Sequence, residues 1–183
     1  MTERTRVTRV LGIDPGSRLL GYGLVEKQDN QLRCLAHGTL KFDTAAQHND
    51  RLLEIHQKVS ALLFDLSSSS APFHGAIEKV FFAKNVQSAL KLGAARGIVL
   101  LSLQQAQVPI FEYNPTEIKQ AIVGHGHASK EDVARMVSRV LSIKEKFATL
   151  DASDALAIAI CHLHTYFFKQ HVGLSSRQNS LKR

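Results

Sequence analysis

The stretch Val10-Leu11-Gly12-Ile13-Asp14-Pro15-Gly16-Ser17 constrains this 183-residue chain more than any other. Val10, Leu11 and Ile13 suit a buried strand. Pro15-Gly16 suits a tight turn, because proline presets φ and glycine accepts positive φ. The strand must therefore stop at Asp14, which holds its carboxylate at the edge of a sheet. An Asp-Pro-Gly alone is ordinarily just a turn with an Asx contact, so the role of Asp14 depends on what meets it. Two other acidic stretches, at Glu78 and at Asp151 with Asp154, are candidates to converge on it, and their convergence would make the protein a metal-dependent enzyme.

The surrounding pattern predicts where these acids lie. Arg9 to Asp14, Gly21 to Val25 and Leu32 to Phe42 are short β-prone segments with short polar connections, which means antiparallel hairpins. Leu52, Ile55, His56, Val59, Leu62, Leu63 and Leu66 recur at helical spacing and end in a serine run. Gly75 to Val80 follows as a strand, and the helix before it makes that strand the parallel member of a mixed sheet. Asn85 to Gln105 reads as a long helix whose Gly93, Ala94, Ala95 and Gly97 allow close approach, either by the protein's own sheet or by a second subunit. Val108 to Tyr113 is a short strand. Asn114-Pro115-Thr116-Glu117 and Ser129-Lys130-Glu131-Asp132 each start a helix. A last helix runs from near Thr149 to about Phe168. Residues 1–170 are expected to form a single domain, and 171–183 a basic, mobile tail. Three hairpin strands followed by alternating helices and strands give an α/β, mixed five-stranded sheet flanked by helices, and the ribonuclease H-like architecture matches that order.

The last helix carries the sharpest local anomaly. Asp151 and Asp154 are three residues apart and share a face, yet Ala155 to Cys161 follows without a polar break. A helix dipole accounts for one aspartate near an N-terminus. Two of them on one face of an apolar helix repel unless a cation lies between. Glu78, in a β-prone run where glutamate is disfavoured, completes a four-carboxylate set suited to hard cations such as Mg²⁺ or Mn²⁺. Two such ions activate a water and stabilise the leaving oxygen in phosphodiester hydrolysis.

Charge points to the substrate. The chain has 23 lysines and arginines against 16 acids, a net +7 that favours a polyanionic partner. From Lys79 to Lys130 there are six basic residues, Lys79, Lys84, Lys91, Arg96, Lys119 and Lys130, against only Glu112 and Glu117. A solvated face is the ordinary meaning of such lysines; beside a carboxylate cluster they would neutralise phosphates. Phe81-Phe82 next to Lys84-Asn85 offers an aromatic able to stack on an unpaired base. His125 and His127, like His162 and His164, lack cysteines at zinc-ligand spacing and read as surface or core histidines. Cys34 and Cys161 show no redox spacing and read as reduced core residues of a cytoplasmic protein. No apolar run looks long enough to span a membrane, and Met1 to Arg9 has no apolar signal core, so the domain is expected to begin there.

LGIDPGSRLLGYG, AIEKVFFAKNVQSALKLGAARG, FEYNPTEIKQAIVGHGHASKEDV and DASDALAIAI, taken together, resemble the RuvC family of bacterial Holliday-junction resolvases, from Leu11 to about Ile160. The resemblance implies a homodimer with a ribonuclease H-like fold that uses Mg²⁺ or Mn²⁺, two ions per site, to nick opposed strands of a four-way DNA junction in recombination and repair. By position it implies Asp14, Glu78, Asp151 and Asp154 as metal-binding carboxylates. Phe81 matches the aromatic that stacks on junction bases, with Lys84 and Asn85 beside it on the DNA, and Lys119 and Lys130 match basic residues near the scissile phosphate. It also implies a branch-migration motor, RuvA and RuvB, as partner.

Two other readings have a basis in the residues. A Gly-Ile-Asp-x-Gly-Ser strand and turn also opens actin-like ATPases, but those need a second similar lobe that this chain has no length for. A junction-binding module without catalysis would have no need of all four acids.

Overall fold

The computed structural model describes residues 7–29, 31–68, 72–79 and 86–180, the last twelve of them as backbone. Strands β1 (Thr8–Asp14), β2 (Leu19–Gln28) and β3 (Gln31–Lys41) form the expected meander. Helix α1 (His48–Ser68) leads to β4 (Phe73–Glu78), and α2 (Val86–Gln105) leads to β5 (Ile110–Tyr113). Helices α3 (Pro115–Val123), α4 (Lys130–Val140) and α5 (Leu150–Ser180) complete the chain. The sheet order is β3-β2-β1-β4-β5. β1 pairs antiparallel with β2 and parallel with β4, and β4 pairs parallel with β5. This is the mixed ribonuclease H-like sheet that the element order predicts.

Both faces of the sheet are covered, and side-chain alternation assigns residues to them. Val10 and Ala76 pack with Leu156, Ile158 and Ile160 of α5 and with Ile118, Val133 and Val137 of α3 and α4. Leu11, Ile13 and Ile77 pack on the opposite face against Ile55, Val59 and Leu63 of α1 and Ala95, Val99 and Leu103 of α2. Asp14 and Glu78 share the parity of Val10 and Ala76, so they point to the α5 side. They also sit at the same C-terminal edge, because Ile13 is in register with Ile77.

Glycines decide how close α5 comes. Gly12 faces Gly23 across the β1–β2 ladder, and Asp14 faces Gly21. A Cβ on Gly12 would run into the backbone oxygen of Ala155, and one on Gly21 into that of Asp151. The absence of two side chains thus seats the first turns of α5 directly on the strands that end at Asp14.

Helix starts follow their caps. The Asn114 side chain and Glu117 form a capping box, with the Asn114 N–H donating to Glu117 Oε2 at 2.7 Å. Ser129 Oγ accepts from the Asp132 N–H at 3.1 Å. His162 is fully buried, with ring nitrogens 2.7 Å from Tyr113 Oη and 2.9 Å from His74 Nδ1. It is a satisfied core histidine, the second of the two readings, surface or core, that the sequence leaves open.

Two features differ from expectation. Helix α5 continues to Ser180, well past the expected end near Phe168. Helix α2 has 20 residues and is, by length and composition alone, long and apolar enough to cross a bilayer, which corrects the expectation that no run was. Ala95, Val99, Ser102 and Leu103 of this helix are buried against the sheet, and only 22% of its apolar window is buried in all.

Candidate active site

At the C-terminal edge of β1 and β4 lies a cavity of about 240 Å³ whose walls include Asp14, Glu78, Asp154, Lys119 and Lys130. Five distinct elements supply them. β1 and β4 end in Asp14 and Glu78; α5 places Asp154 one turn after Asp151; α3 and α4 bring in Lys119 and Lys130. Pro115, Ile118 and Val133 form an apolar wall around these charges. Asp151 does not line the cavity, but its charge acts on Asp14 and on Lys130.

The carboxylates feel one another. Asp14 is pushed up from 3.8 to about 7, by burial first and then by the charges of Asp154, Glu78 and Asp151, against an opposing pull from Lys130. Glu78 is also raised, by burial and by Asp154, and is held down by Lys130 and Lys119. Such upward shifts mark acids crowded into a low-dielectric site without sufficient countercharge. Among the described residues the cation in direct contact is Lys130, whose Nζ donates to Asp154 Oδ2 at 2.9 Å. That hydrogen bond raises the pKa of the lysine.

A divalent ion fits the donor set in chemistry: clustered carboxylate oxygens, raised acids and an ammonium standing where positive charge is demanded. Among the described residues, no trio of histidine, cysteine, aspartate or glutamate side chains is already arranged to hold an ion. Asp154 Oδ2 accepts from Lys130 Nζ, so an ion at this site would share that carboxylate with the lysine or displace it.

Phe81, Lys84 and Asn85 lie outside the described residues. His125 and His127 are exposed in the loop between α3 and α4, away from the cavity walls. Sequence reasoning counted Arg96 only as part of a basic surplus. In the fold its Nε donates to the backbone oxygen of Glu78 at 3.2 Å, and Nη2 lies 3.0 Å from Glu112 Oε2. The available signal was its place as a single charge among small and apolar residues, Gly93 to Leu101.

Comparison with known proteins bears on this geometry. The family model described as crossover junction endodeoxyribonuclease RuvC matches residues 10–162. The chain belongs to the RuvC family. The crossover junction endodeoxyribonuclease RuvC of Syntrophotalea carbinolica is 47% identical over 158 residues, covering 86% of this chain and 95% of that relative. The solved structure of Thermus thermophilus RuvC is 36% identical, covers 88% of this chain and 97% of its own, and superposes with a TM-score of 0.76. Thermus thermophilus RuvC in complex with Holliday junction substrate is 34% identical, with a TM-score of 0.75 over 85% of this chain and 93% of that one. The matched RuvC region contains all four acids and both cavity lysines.

Proposed function

We propose that this RuvC-family chain is a homodimeric, metal-dependent endonuclease that resolves four-way DNA junctions by hydrolysing one phosphodiester in each of two opposed strands. The observation that carries the reading is the meeting of Asp14, Glu78 and Asp154 with Lys119 and Lys130 around one cavity. It is supported by relatives named crossover junction endodeoxyribonucleases and by a structural neighbour in complex with a Holliday junction substrate.

Asp14, Glu78, Asp151 and Asp154 would hold two Mg²⁺ ions, with Mn²⁺ as a substitute, because an all-oxygen anionic donor set suits hard cations. The chemistry such ions supply when bound is activation of a water and stabilisation of the departing oxygen. The chain's own residues do the rest. Burial and the neighbouring acids push the Asp14 carboxyl up to about 7, and it would hold an ion in its deprotonated form. Lys130, which donates to Asp154 Oδ2, would offset the charge of that acid and could offer its Nζ to a phosphate oxygen. Lys119 offers a second positive charge on the same wall. The apolar wall of Ile118 and Val133 limits water around these groups, which strengthens each charge interaction. Roles for Phe81 in stacking on a junction base, and for Lys84 and Asn85 on the backbone, rest on the family resemblance. So do the RuvA–RuvB motor as partner and the cytoplasm as location.

A second copy of the chain is the occupant we propose for the outer face of α2. Val86, Leu90 and Leu101 are 73%, 69% and 49% exposed, and Gly93 and Gly97 lie between them on that face with open space before them. Exposed apolar side chains flanking two glycines one turn apart form a stripe into which a like helix can press closely. The glycines therefore look outward, away from the protein's own sheet.

The test is cleavage of a synthetic four-way junction by the purified chain. With Mg²⁺ or Mn²⁺ it should nick the junction symmetrically and leave a linear duplex of the same sequence intact. Cleavage that persists after chelation, or equal cutting of the duplex, would contradict the proposal.

A further inference from the structure

We infer that Arg96, which stands behind the sheet from the cavity, is the positioning residue for Glu78; the inference rests on the reading of Glu78 as a metal ligand. The two faces of the sheet carry the argument. Glu78 points its side chain toward α5, whereas α2 packs on the other face, where Ala95, Val99 and Leu103 join Ile77. From that side the Arg96 Nε–H reaches the backbone oxygen of Glu78. The β1–β4 ladder has its last pair at Ile13 and Ile77, and the Lys79 N–H donates to the Tyr113 carbonyl at 2.8 Å. Arg96 therefore ties down the strand just past its last pairing with β1, at the residue that carries the carboxylate.

The same guanidinium is anchored on β5 by Glu112. Its side chain is 17% exposed, while that of Glu112 is 39% exposed. One planar fork with two fixed acceptors on neighbouring strands sets a position in a way that a flexible ammonium does not. The arginine also sits on the helix whose outer stripe we assign to the second subunit. Seating that helix against a partner would steady the arginine, and through it the backbone behind Glu78.

The test compares Arg96→Met and Glu112→Val with the wild-type chain. Mn²⁺ binding is measured by titration calorimetry without DNA, together with junction affinity, kcat and thermal stability. Arg96→Met should weaken Mn²⁺ binding and lower kcat, each by about tenfold to a hundredfold, in the range for residues that orient ligands. Junction affinity should not change, and Arg96→Lys should restore only part of the loss. Glu112→Val should move the same quantities in the same direction by less. If Arg96→Met does not fold, Glu112→Val and Arg96→Lys decide. Normal Mn²⁺ affinity and kcat in the folded variants, with only a lower melting temperature, would overturn the inference. Glu78→Gln is run beside them. If it is inactive while the Arg96 variants are normal, only the positioning role fails; if it binds Mn²⁺ and cuts like wild type, the metal-site reading fails with it.

Discussion

Lys130 Nζ lies 2.9 Å from Asp154 Oδ2, at the wall of a cavity shared with Asp14 and Glu78. Twenty-four residues separate the pair in sequence, and α4 and α5 bring them together. The lysine stands where a cluster of acids most needs positive charge, and its side chain is 63% exposed against 16% for Asp154. An ammonium on a flexible stem, open to solvent, can yield that carboxylate and turn to a phosphate.

Lys130→Met should separate these two duties. The metal-free protein should lose at most about 1 kcal/mol, because one partner is well solvated. Mn²⁺ should bind the free protein more tightly, since nothing competes for Asp154. Junction cleavage should still fall by about a hundredfold, on the scale of losing one preorganised charge at a reacting oxygen. Calorimetry and single-turnover cleavage read the two effects separately.

The metal-free protein should become less stable as pH rises toward neutrality, through Asp14. Its folded carboxyl holds a proton up to about 7 while the unfolded chain releases it near 3.8. Between those values the folded state binds more protons, so the contribution of Asp14 to stability falls with rising pH and levels off above about 7. Asp14→Asn lacks that loss. The melting temperature of the variant, relative to wild type, should climb from pH 4 to pH 7 without metal, and Mg²⁺ should narrow the gap by stabilising only the wild type. Melting curves at several pH values check this.

Gly12→Val should damage the site through α5 and not through chemistry. Its new side chain meets the Ala155 carbonyl, which is backbone and cannot step aside without moving the helix. Overpacking of this kind costs about 1 to 3 kcal/mol or more. Thermal melting should show the loss, and metal affinity should fall with it because Asp151 and Asp154 ride on the same turns.

The outer stripe of α2 gives a prediction about assembly. Leu90→Lys places a charge on that face, where the native side chain is 69% exposed. The folding stability should stay within about 0.5 kcal/mol of wild type, as for ordinary surface changes. Sedimentation should show a shift from dimer to monomer; an unchanged dimer would place the interface elsewhere.

Much of this was legible in the residues, for a definable reason. Asp14 and Glu78 interrupt apolar strands, and Asp151 and Asp154 interrupt an apolar helix, so each broke a local pattern that could be read without a structure. The meander, the parallel β4 and the capped helices also follow from local periodicity and turn chemistry. What stayed hidden depended on register and on partners distant in sequence. Gly12, Gly21 and Gly23 look like ordinary strand residues until the ladder aligns them under α5. The direction in which Gly93 and Gly97 face was open to two readings, because spacing gives a stripe but not the side it turns inward. Arg96 has as its partners a backbone oxygen and an acid on two other elements, and no sequence window contains all three. The helical continuation to Ser180 runs through polar and basic residues with no apolar face to announce it.

The most direct test of the account is a paired measurement on Asp14→Asn: affinity for a four-way junction, and cleavage of that junction as Mg²⁺ or Mn²⁺ is added. Removing one ligand oxygen takes away several kcal/mol of charge stabilisation, about a thousandfold or more in rate. The account predicts undiminished binding and cleavage reduced at least that far at every metal concentration. Cleavage near the wild-type rate with the same metal dependence would contradict it.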